Sequence, residues 1–129
     1  MIHRSKLHEM PVSIPVSTQL RRRMFTAAGT GWLDFDTFAE SLNMTPSALR
    51  RRLKNEGQSF QMVKDRLRCD LAIECLCHTA QSIEEISGEL GFSEASAFHR
   101  AFKKWTGASP GEYRQRMQSW TNPPSAMRA

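Results

Sequence analysis

Two stretches of the chain carry polar and basic side chains at the spacing of one helical stripe. Ser47, Arg50, Arg51 and Lys54 recur at i, i+3, i+4 and i+7, and Ser96, His99, Arg100 and Lys103 repeat the spacing. Such a stripe suits a polyanion with readable edges. An arginine fork can bond O6 and N7 of guanine together, for about 1–3 kcal/mol of discrimination. A serine hydroxyl makes a single hydrogen bond and the Ala95 methyl only an apolar contact, so both should discriminate less. His99 can read a guanine or touch a phosphate. The base-reading set is therefore Ser47, Arg50 and Arg51 in the first stretch and Ala95, Ser96, His99 and Arg100 in the second. Lys54, Lys103 and Lys104 lie further along and suit phosphates, which position a protein and carry its salt dependence. Arg52 matches Ala101 in the repeat and faces sideways into solvent, and Arg21, Arg22 and Arg23 read as a solvated helix face.

The elements beneath these stripes occur twice. Leu49 and Leu53 lie inward of the first stripe, and Phe98, Ala101, Phe102 and Trp105 inward of the second. Each is preceded by another helical pattern: Phe35, Phe38, Ala39 and Leu42, then Ile83, Ile86, Ser87 and Leu90. The leading helices match at an offset of 48 residues, Asp34 with Ser82, Phe38 with Ile86 and Leu42 with Leu90. The trailing helices match at 49, Ser47 with Ser96, Arg51 with Arg100 and Lys54 with Lys103. One extra residue therefore sits in the second turn. Equal geometry with unequal chemistry, Arg50 against His99, is what two different half-sites require.

Helix boundaries follow from caps and breakers. Ser17 or Thr18 caps a first helix through about Thr26, ended at Gly29–Gly31. Asp34 caps a second. Thr45, with Pro46 at the first helical position, opens a third that Gly57 stops. Ser59 opens a long helix over 60–77, with Val63, Leu67 and Leu71 on one face and Cys69, Ala72 and Leu76 on another, so it joins two bodies. Ser82 to Glu85 and Ser109 to Glu112 are capping boxes. Trp105 and Gly107 close a sixth helix, and Tyr113, Met117 and Trp120 line a seventh. The expectation is an all-α fold of about seven helices, two helix-turn-helix subdomains (17–57 and 82–120) joined by a long linker helix. Residues 1–16, with Pro11 and Pro15, read as a tail or interdomain linker, and 121–129, with Pro123 and Pro124, as a C-terminal tail.

A chain of 129 residues with a formal charge of +5 suits one domain and an anionic partner. Neither a membrane-spanning apolar run nor an export signal is present, and three cysteines on one helix form no disulfide framework, so a reducing cytoplasm is expected. Cys75, Cys77 and His78 look like metal ligands, but helix positions two apart diverge by about 200°. No metal and no cofactor is expected, and Cys69 and Cys75 read as small core residues. Without a nucleophile–base pair, phosphate-cradling glycine loop or carboxylate dyad, the residues do not read as an enzyme.

The run from Ser82-Ile83-Glu84-Glu85-Ile86 through Leu90-Gly91-Phe92-Ser93, Phe98-His99-Arg100-Ala101-Phe102-Lys103-Lys104-Trp105-Thr106-Gly107 and Ser109-Pro110-Gly111-Glu112-Tyr113-Arg114 resembles the signature of the AraC/XylS family of bacterial transcription regulators. The likeness extends upstream to cover about residues 17–118. It implies a C-terminal DNA-binding domain whose two recognition helices enter successive major grooves of double-stranded DNA. It also implies activation of transcription through contact with RNA polymerase. Two departures stand out: the first recognition helix, ending Leu53-Lys54-Asn55-Glu56-Gly57, is one residue shorter than the usual pattern, and Ser87 replaces a small apolar residue at a tight helix crossing. Most full regulators of the family carry an effector-binding or dimerisation domain upstream. The chain therefore reads as an excised domain in preference to a stand-alone regulator, and as a monomer in this form. The competing reading, independent of the resemblance, is a helical protein-interaction module whose basic faces bind an acidic partner.

Overall fold

The computed structural model describes residues 14–28 and 32–121, with side chains through Ser119. Among the described residues there are seven helices and no strand: α1 (Val16–Ala27), α2 (Phe35–Ser41), α3 (Pro46–Asn55), α4 (Phe60–His78), α5 (Ile83–Glu89), α6 (Ala95–Thr106) and α7 (Pro110–Thr121). The chain divides into two compact units, one ending at Leu67 and the other starting at Arg68, so the boundary falls inside the continuous helix α4.

Local chemistry starts most of these helices. Asp34 accepts from the Thr37 N–H at 2.7 Å and from its hydroxyl at 2.9 Å. Thr45 accepts from the Ala48 N–H, with Pro46 at the first position of α3. Ser59 accepts from the Met62 N–H. Both capping boxes close, Ser82 with Glu85 and Ser109 with Glu112, each serine hydroxyl accepting a backbone N–H and each glutamate accepting in return. Each such cap is worth about 1 kcal/mol.

The two helix-turn-helix turns are the same turn. Asn43 at φ 57° and Gly91 at φ 87° occupy the left-handed region at equivalent places, 48 residues apart. Met44 N–H donates to Ala39 O at 3.0 Å, and Phe92 N–H donates to Ser87 O at 3.1 Å. This is the six-to-one bond that ends a helix by reversing its last turn. Four residues separate α2 from α3 and five separate α5 from α6, so the added residue falls after this shared turn.

In the first unit Leu20, Met24, Phe38, Ala39, Leu49, Leu53 and Leu67 are buried. Phe35 and Phe60 meet edge to face at 5.3 Å. In the second unit Ile86, Leu90, Phe98, Phe102, Ala72 and Leu76 are buried, and Ser87 with them at 2% exposure. Phe102 is the centre of an aromatic group with Phe98 at 5.7 Å, Trp105 at 6.4 Å and Tyr113 at 5.4 Å.

The start of α1 corrects the sequence reading. Neither Ser17 nor Thr18 caps it. The preceding residue is Pro15, which makes no side-chain cap bond. Glu56, at the end of α3, supplies the acceptors instead, taking the Val16 N–H at 2.8 Å and the Ser17 N–H at 2.9 Å. An anion at a helix N-terminus satisfies two orphan donors and opposes the positive end of the dipole. The proposed stop at Gly29–Gly31 lies outside the described residues, as does the Trp120 side chain of α7.

Glu56→Ala should destabilise the first unit by about 0.5–2 kcal/mol. Partial burial raises the Glu56 pKa, but the Ser17 and Val16 N–H groups and the Arg52 charge outweigh it and hold the carboxyl below its ordinary value. A carboxyl with a lowered folded-state pKa stabilises above its unfolded value and loses that contribution as pH falls through the folded one. The penalty should therefore be full at pH 7 and shrink in acid, below both pKa values, to what a neutral carboxyl contributes, as thermal melts of the two proteins at each pH would read. An equal penalty at both pH values would mean that the charged clamp is not the cause.

Candidate nucleic-acid interface

Each unit presents one amphipathic helix after its turn. On α3, Leu49 and Leu53 are buried while Ser47, Arg50, Arg51, Arg52 and Lys54 are exposed. On α6, Phe98 and Phe102 are buried while Ser96, His99, Arg100, Lys103 and Lys104 are exposed, and Ala95 is half-buried. The structure thus brings Ser47, Arg50, Arg51 and Lys54 together on one face, and Ser96, His99, Arg100 and Lys103 on another. These helices can enter a major groove, about 12 Å wide, with their stripe leading.

Two side chains are more constrained than their spacing implies. The Arg50 guanidinium lies 5.0 Å over the Phe35 ring, so a cation–π contact holds it back against α2. Arg50 and Lys54 also line a groove of about 840 Å³ with Asp34, Phe35, Glu40 and Phe60. Ser96 donates its hydroxyl proton to Glu94 Oε1 at 2.8 Å. Arg51 and Arg100 are the exposed arginines in equivalent positions of the two stripes.

The scaffold under α6 carries ties that spacing did not reveal. The Arg68 guanidinium stacks 3.8 Å from the Phe92 ring, fastening α4 to the turn before α6. Arg114 of α7 donates from Nε to Leu76 O at 3.1 Å and from one terminal nitrogen to Cys75 O and Thr79 O. It covers the last carbonyls of α4 with a cation, the favourable sign for a helix C-terminus. Phe92 and Arg114 were legible as motif residues, but their partners were not, because no local rule links positions so far apart.

The remaining candidates give no second site. Cys69, Cys75 and Cys77 are half-buried and form no disulfide, and burial raises the Cys75 pKa. Among the described residues no group of three His, Cys, Asp or Glu side chains is placed to hold a metal ion. None of the described helices is long and apolar enough to cross a membrane.

A family model described as a helix-turn-helix domain matches residues 38–116, more than half of the chain. The chain belongs to the AraC/XylS family of DNA-binding transcription regulators. Among relatives of this AraC-type domain, the ornithine utilization regulator of Pseudomonas aeruginosa is 38% identical over 94 residues, covering 73% of this chain and 28% of that protein. The urease operon transcriptional activator of Escherichia coli is 32% identical over 88 residues, covering 68% of this chain and 30% of that protein. A DNA-binding transcriptional dual regulator from Escherichia coli K-12 shares the fold at a TM-score of 0.77 and 22% identity, covering 86% of this chain and 99% of that one. The chain spans about 24–30% of the length of the curated relatives it matches. The family is one of regulators, not enzymes, and its all-α architecture is the one found here.

Proposed function

We propose that this AraC-type domain reads an asymmetric double-stranded DNA site as a monomer, with α3 and α6 each entering a major groove, successive along the duplex. The observation that carries the reading is the pair of exposed stripes, equal in spacing and different in chemistry, each on a helix anchored by buried residues. Ser47, Arg50, Arg51, Ala95, Ser96, His99 and Arg100 face base edges, and Lys54, Lys103 and Lys104 face phosphates. Arg50 must leave the Phe35 ring to do so, which makes it the weaker reader of the first stripe. The whole regulator acts in the bacterial cytoplasm as an activator that contacts RNA polymerase. The activator named among its relatives and the family resemblance support that role.

Two recognition helices related by duplication within one chain need no dimer axis. One chain should protect two unlike half-sites about 10 base pairs apart. The measurement is footprinting on a site selected from random DNA, with sedimentation of the same complex to count chains. A palindromic footprint that needs two chains, or protection confined to a single groove, would falsify the two-reader mechanism.

A further inference from the structure

Glu94 holds the position that Thr45 holds in the first unit, the residue before the recognition helix. Thr45 spends its side chain on a cap, accepting from Ala48 N–H. Glu94 makes no side-chain cap bond, although its backbone is extended as a cap residue requires, at φ −148° and ψ 152°. Its carboxylate accepts the Ser96 hydroxyl proton instead, at 2.8 Å, and both residues are exposed. The two helices therefore open differently, one on a capping threonine and the other on a glutamate that makes no cap bond.

The pairing changes what Ser96 can recognise. A free serine hydroxyl donates or accepts, and so accommodates any base edge. With its proton committed to Glu94 Oε1, Ser96 has only lone pairs left to offer, and Glu94 Oε2 is likewise acceptor-only. The two side chains that open α6 thus present acceptors alone, beside the backbone N–H donors of its first turn. In the major groove the matching donors are the exocyclic amines, N4 of cytosine and N6 of adenine. Guanine offers O6 and N7, and thymine O4, which would set acceptor against acceptor and leave buried groups unpaired.

We propose that Glu94, acting with Ser96, is a specificity-determining residue of the second half-site, selecting a cytosine or adenine amine at one position and rejecting guanine and thymine there. Part of that selectivity is rejection, since a carboxylate near DNA costs affinity wherever no amine answers it. This inference rests on α6 being a recognition helix, as proposed above.

The test is selection of bound sites from a random duplex pool with the unaltered chain and with Glu94→Ala, Glu94→Gln, Ser96→Ala and Arg100→Ala. The unaltered chain should favour cytosine or adenine at one position of the second half-site by about fivefold or more. Glu94→Ala should flatten that position alone and lower the melting temperature only slightly, because no cap bond is lost and only a carboxylate near the helix N-terminus goes. Glu94→Gln, which both donates and accepts, should shift the position toward adenine. Ser96→Ala should weaken the same position, and Arg100→Ala should flatten a different one. If Glu94→Ala merely tightens binding to every sequence alike while Arg100→Ala still flattens its own position, the carboxylate only repels phosphate and the proposal is overturned. If Arg100→Ala also leaves every preference intact, α6 is not the reader and the inference falls with that reading.

Discussion

Phe102→Ala should unfold the second unit or leave it barely stable. Phe102 is fully buried and touches three other aromatic rings, Phe98, Trp105 and Tyr113, that bring α6 and α7 together. Removing a buried phenyl group costs about 3–5 kcal/mol, the lost transfer energy plus the cavity left behind. Domains of this size hold only about 5–15 kcal/mol in total. A loss of about 3 kcal/mol lowers the melting temperature by roughly 12 °C or more in a unit this small. The same change removes the support under Ser96, His99 and Arg100, so protection of the second half-site should vanish with it. Calorimetry and footprinting on the variant read both effects. A melting temperature within a few degrees of the parent would mean that this ring group does not organise the unit.

Arg51→Ala and Arg100→Ala should each weaken specific binding by about 5- to 150-fold, equivalent to about 1–3 kcal/mol, while leaving stability within about 0.5 kcal/mol. Both side chains are exposed, on helices whose buried faces they do not share. The loss should fall on the selected site and spare unrelated DNA, because an arginine fork on a guanine carries sequence information. Lys103→Ala is the contrast. A phosphate contact contributes to every sequence, so that variant should weaken specific and unspecific DNA alike and reduce the salt slope by about one. Arg51 is a cleaner probe than Arg50, whose truncation also removes the contact with Phe35. Titrations at several salt concentrations decide the matter. Arginine variants that lose specific and unspecific affinity in equal measure would be phosphate contacts, and the base-reading assignment would be lost.

Where a rule acts within a few residues, the chain alone determined the outcome. Asp34, Thr45, Ser59, Ser82 and Ser109 cap the helices they precede, because each hydroxyl or carboxylate needs only a backbone N–H three residues on. The 3.6-residue period likewise sorts Leu49 and Leu53 from Arg51, and Phe98 and Phe102 from Arg100. The duplicated turn was legible as a shift from 48 to 49 residues in the repeat. The tertiary structure decided what distant residues do for one another. Glu56 caps α1 across 39 and 40 residues, and Arg114 covers the end of α4 across 35 to 39. Arg50 is drawn onto Phe35, and Arg68 onto Phe92. A charged side chain can satisfy any suitable partner that folding brings within about 3 Å, and periodicity says nothing about which one that is. Helix propensity and capping are properties of neighbouring residues, whereas the choice of a distant partner exists only once the chain has closed upon itself.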